Sequence, residues 1–90
     1  MAAEDINEPV NVLVSFRRSA RDTGLAQPEI MHWRGRRYRI REMGMRYPTT
    51  KGQRMLHRFT FAVDGTTFEL EFDAERLIWQ LIRMHDGDPA

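Results

Sequence analysis

Arg37, Arg39 and Arg41 recur at every second position, with His32 a few residues upstream. A guanidinium is permanently charged and planar, and its donors match phosphate oxygens, so an alternating row suits a polyanion. On a strand, second neighbours lie roughly 6.8 Å apart on one face, a spacing that can follow a phosphate backbone. Arg36, Arg46, Lys51 and Arg54, with Arg17, Arg18 and Arg21 before them, would widen such a footprint.

Other chemistries find less to work with. His32, His57 and His85 are scattered, and no pair sits at a zinc-ligand spacing. Glu69, Glu71 and Asp73 alternate on one strand face, as carboxylates around Mg²⁺ can. Such a site also calls for a positioned base, and Lys51 is the sole lysine. Arg58 is expected opposite Glu71, so cross-strand charge pairing accounts for the acids. Ser15 and Ser19 have no neighbouring histidine and no Gly-x-Ser-x-Gly setting. The six glycines are dispersed and form no phosphate-cradling loop. The expectation is a binding protein and not an enzyme, with no metal, no cofactor and no small-molecule substrate.

Ninety residues fit one small domain. There is no cysteine, which excludes a disulfide framework and suits a reducing cytoplasm. The acidic start lacks a basic and an apolar region, so no signal peptide is expected, and no apolar run is long enough to cross a bilayer. The formal net charge is +1, but it is unevenly spread. Residues 34–58 carry eight arginines and Lys51 against Glu42 alone, whereas residues 59–90 carry seven acids against Arg76 and Arg83. Such asymmetry marks either a polyanion-binding surface or two segments that neutralise one another in the fold.

The elements that must position the arginines are strands. Residues 1–8 read as a disordered tail, residues 9–85 as a single β domain and 86–90 as a second tail. Val10, Val12, Val14 and Phe16 alternate inward on a first strand, followed by a long loop from Arg17 to Pro28. A two-residue turn at Arg34-Gly35 then pairs Trp33 with Arg36, His32 with Arg37, Met31 with Tyr38 and Ile30 with Arg39. In that register Met31, Trp33, Tyr38 and Ile40 form an apolar face, and His32, Arg37, Arg39 and Arg41 point the other way. A bulge near Gly44 would turn Met43 and Met45 inward, and Tyr47 to Gly52 reads as a turn-rich connection.

Asp64-Gly65 signals a second tight hairpin, pairing Phe61 with Phe68, Phe59 with Leu70 and His57 with Phe72 inside, and Arg58 with Glu71 outside. After a turn at residues 73–76, a last strand would set Trp79 near Leu70 and Leu81 near Phe68. Residues 74–84 also suit a short C-terminal helix capped by Asp73. Five to six strands imply an all-β antiparallel meander. A strongly curved sheet or small SH3-like barrel would bury Trp33, Tyr38, Phe59, Phe61, Phe68 and Trp79. Leu13, Ile30, Ile78 and Ile82 fall on the outer face, where they or an unpaired edge strand could meet a protein partner or a second copy of the chain.

Two stretches, residues 31–40 (Met-His-Trp-Arg-Gly-Arg-Arg-Tyr-Arg-Ile) and residues 68–83 (Phe-Glu-Leu-Glu-Phe-Asp, then Trp-Gln-Leu-Ile-Arg), resemble a small bacterial domain family of unknown function. That family is sometimes found beside or fused to translesion (Y-family) DNA polymerases. The likeness covers roughly residues 29–84 and rests on core aromatics and turns. The chain departs from the pattern in its Arg17–Pro28 loop and in Ile78 before Trp79. The resemblance implies an all-β module associated with DNA metabolism, and it supplies no catalytic residues. Nucleic acid, DNA or RNA, is thus one expected partner class and protein the other.

Overall fold

The computed structural model describes residues 3–17 and 25–86. Seven strands follow in chain order: β1 (Ala3–Arg17), β2 (Leu25–Trp33), β3 (Arg36–Arg39), β4 (Glu42–Lys51), β5 (Arg54–Val63), β6 (Thr66–Asp73) and β7 (Ile78–Asp86). All neighbours are antiparallel, in the spatial order β3-β2-β1-β7-β6-β5-β4. The chain is a meander whose first and last strands pair with each other, so the break in the ladder falls between β3 and β4. Only Ile40 and Arg41 connect those two edges. Three peptide steps reach at most ~11 Å, whereas six strand spacings in a flat sheet would separate the edges by roughly 29 Å. The sheet must therefore roll up, and it does so without hydrogen-bonded closure into a barrel.

Both tight hairpins take the expected register. Arg34 and Gly35 have φ of 49° and 76°, Asp64 and Gly65 φ of 49° and 80°. Two consecutive positive φ values make the turn whose twist matches that of the flanking strands. Rolling the sheet brings the two hairpins face to face. Phe68 of β6 lies 5.2 Å from Tyr38, 5.2 Å from Phe61 and 6.4 Å from Trp33, measured between ring centroids. Phe72 stacks on Trp79 at 4.6 Å. Met31, Phe61, Leu70 and Leu81 are fully buried among these rings.

Several expectations are corrected. Residues 3–8 of the expected tail are strand, because β7 offers them a partner: Ala3 pairs with His85 and Asp5 with Arg83. Phe16, expected inside, is 76% exposed, since the end of β1 runs out past the core while Val10, Val12 and Val14 pack against it. Tyr47 to Lys51 belong to β4 and not to a turn. Met43 packs on the core, but Met45 in the bulge is exposed. Seven strands replace five to six, and no helix occurs among the described residues.

Residues 74–84 are not helical; from Ile78 they form β7, which extends to Asp86. The turn before it is 74–77, closed by Leu77 N–H donating to the Asp73 carbonyl, with Leu77 at φ 58°. That choice moves the register by two, so Trp79 faces Phe72 and Leu81 faces Leu70. A bulge then falls at Ile82, which is 8% exposed. The residues 18–24 of the expected loop, with Arg18, Ser19 and Arg21, and residues 87–90 lie outside the described residues.

Proline is placed where strands have a neighbour on one side only. Pro48 is on the β4 edge; Pro9 pairs with Gln80 before the β2 ladder begins; Pro28 pairs with Val14 beyond the end of β3. A missing N–H costs no ladder bond at such positions.

Candidate nucleic-acid interface

The basic surface is built on the β2–β3 hairpin, whose inner face is fixed by Met31, Trp33 and Tyr38. Alternation turns His32, Arg37 and Arg39 outward, and all three are exposed, as is Arg41 beyond the end of β3. The ladder adds β1 to each row. One row across the three strands is Asn11, His32 and Arg37; the next is Leu13, Ile30 and Arg39. The structure thus brings His32, Arg37 and Arg39 onto one side of one hairpin, with β3 as an open edge and Arg41 just beyond its end.

Charge pairing separates these arginines from Arg54, Arg58 and Arg83. On the outer face of β5, β6 and β7 the acids stand between basic neighbours. Arg58 Nε donates to Glu71 Oε2 at 2.7 Å, and its Nη1 lies 3.8 Å from Glu69. Arg54 donates to Asp73 at 3.1 Å. Arg83 lies 3.6 Å from both Glu69 and Asp5, and His85 lies 3.8 Å from Glu69. The three carboxylates of β6 are therefore spent on ion pairs, and no group of three or more acidic or histidine side chains among the described residues could hold a metal ion. Arg37, Arg39 and Arg41 have no such pair with any described residue, and Arg36 and Lys51 have none either.

The turn of the hairpin is locked separately. Glu8 of β1 accepts from Trp33 Nε1 at 2.9 Å and from Arg34 at 2.6 Å. The Arg34 guanidinium also lies 4.5 Å from the Trp33 ring centroid. The Arg34 hydrogen bond, followed by that of Trp33, holds the Glu8 carboxyl below the usual carboxylate range. The bond to Glu8 in turn raises Arg34. An indole N–H at the edge of the core thereby gains its acceptor, and the N-terminal half of β1 is tied to the hairpin that carries the arginines.

Beside the arginine rows runs a groove of about 630 Å³, lined by Leu13, Glu29, Ile30, Arg39, Ile40 and Arg41. Sequence reasoning passed over Glu29. The register shifts between Leu13 and Val14, which leaves Glu29 as the bulged residue of β2. Its backbone carbonyl accepts from Ile40 N–H at 2.9 Å, and its Oε2 accepts from Ser15 Oγ at 3.1 Å. The available signal was an acid two residues before Met31, on a strand whose alternation would otherwise drive it into the core. The apolar outer patch does not assemble as expected. Leu13 and Ile30 pair with each other, Ile82 is buried, and Ile78 lines a different groove with Leu56 and Gln80.

No protein-family model matches the chain, and no significant match is found among curated proteins or solved structures. The functional reading therefore rests on the chain's own chemistry.

Proposed function

We propose that this chain is a non-enzymatic binding module that contacts nucleic-acid phosphates through Arg37, Arg39 and Arg41, with His32 beside them. One observation carries the reading. Arg37 and Arg39 on the edge strand β3, and Arg41 just beyond its end, are exposed with no ion-pair partner among the described residues, whereas Arg54, Arg58 and Arg83 are matched to acids. Unspent guanidinium groups in a row displace counterions from a phosphate chain on binding, and that release drives association. Trp33, Tyr38, Phe59, Phe61, Phe68 and Trp79 are engaged in the core and not available as a stacking platform, so phosphate contact supplies the affinity.

The test is a charge reversal. Replacing Arg37, Arg39 and Arg41 together by Glu should abolish binding of short single strands measured by fluorescence anisotropy at low salt. These side chains are exposed, so the fold should survive, which circular dichroism checks. Undiminished binding by the folded triple variant refutes the proposal.

A second reading follows from the opposite edge. β4 has no neighbour beyond it, and Met45 and Tyr47 on it are exposed. A partner protein or second copy could add a strand there, although Pro48 interrupts the row of donors. Sedimentation at high concentration tests the homodimer form: a strict monomer removes it.

A further inference from the structure

Resting on the phosphate-binding reading above, we infer that the groove between Leu13, Ile30, Glu29 and the Arg39–Arg41 segment receives a base of the bound strand and selects guanine. Its lining holds both signs of charge without letting them cancel. Arg39 and Arg41 form no ion pair with Glu29, although all three line the same groove. Such a groove complements a ligand carrying an anion and a donor edge on different atoms. A nucleotide is such a ligand: phosphate for the arginines, base edge for the carboxylate.

The base preference comes from Glu29. An ionised carboxylate only accepts hydrogen bonds, through two parallel oxygens. Among the bases, guanine alone offers two adjacent donors, N1–H and the N2 amine, on its Watson–Crick edge. Adenine and cytosine set an acceptor beside their amine, and thymine or uracil flanks one donor with two acceptors. Each of those places a lone pair against a carboxylate oxygen. The Ser15 hydroxyl holds Glu29 Oε2 from one side, and the Ile40 N–H bond to the Glu29 carbonyl fixes the backbone of the bulge. Bulges re-aim a side chain in this manner beside functional sites. Leu13 and Ile30, paired across β1 and β2, form an apolar shelf for a base plane, and Leu13 is 58% exposed. The volume of about 630 Å³ lies within the range of small-ligand clefts.

The experiment compares three labelled short single strands on the full chain by anisotropy: alternating guanine and thymine, alternating inosine and thymine, and thymine alone. The guanine strand should bind on the order of tenfold more tightly than thymine alone. Inosine, which lacks the N2 amine, should lose most of that gain. Glu29→Gln, which turns one acceptor into a donor, should bring the guanine-to-thymine ratio towards one. If Glu29→Gln fails to fold, the inosine comparison on the native chain decides. Equal binding of all three strands, or a preference that persists in folded Glu29→Gln, overturns the guanine assignment while leaving phosphate binding intact. Failure to bind any strand overturns both.

Discussion

Replacing Arg58 by alanine strands the most enclosed acid of the outer face. The Arg58 Nε bond to Glu71 is 2.7 Å long, and the Glu71 side chain is 11% exposed against 25% for Arg58. A hydrogen bond between charged groups contributes about 1.5–3 kcal/mol, and removing one member leaves the other desolvated. The partial exposure of Arg58 lets water screen the pair, and the longer contact to Glu69 adds little. A loss of about 2 kcal/mol is expected, which for a domain of this size lowers Tm by roughly 8–16 °C. Calorimetry at neutral pH reads the shift. A companion double variant makes the reasoning specific. Pairing Arg58→Met with Glu71→Gln should recover most of the loss, since no enclosed charge remains. A shift of a few degrees or less, or a double variant as unstable as the single one, refutes this account of the outer face.

Three further outcomes follow from the same structure. Phe61→Ala empties a fully buried position between Phe68 and its neighbours and should cost about 3–5 kcal/mol in urea unfolding; a cost under about 1 kcal/mol contradicts the described core. Gly65 sits at φ +80° with open space where a Cβ would stand, so Gly65→Ala should lose about 1 kcal/mol from backbone strain alone, with no change in core packing by Trp fluorescence. Glu8 is held below the usual carboxylate range by Arg34 and then Trp33. Its contribution to stability is complete above that range and lost as pH falls through its lowered value. Glu8→Gln should therefore flatten part of the acid limb of the stability–pH profile; an unchanged limb contradicts the tie.

Much of the inner architecture was legible because two local signals coincided. Arg34-Gly35 and Asp64-Gly65 set turns of fixed length, and a fixed turn sets every pair along its hairpin. The outward placement of His32, Arg37 and Arg39 follows from that register. Three features were hidden for reasons of distance or one-residue geometry. The strand over residues 3–8 depends on pairing with β7 at the far end of the chain, and its own sequence is acidic, with Ile6 as its single β-branched residue. The β6–β7 register turns on Leu77 adopting φ 58°, which leucine rarely does and no pattern announces. The Glu29 and Ile82 bulges each add one residue, and periodicity carries past such a slip unchanged. The charge asymmetry resolved in both directions at once: β5 and β7 neutralise β6, and the β3 row is left over.

That leftover row is the central claim, and its ionic-strength dependence tests it most directly. Anisotropy titrations of the native chain with a short single strand, repeated across a salt series, give the log–log slope of affinity against salt. Three phosphate contacts at ~0.7 each predict a slope of about −2. An affinity indifferent to salt, or no binding at the lowest ionic strength, would contradict it.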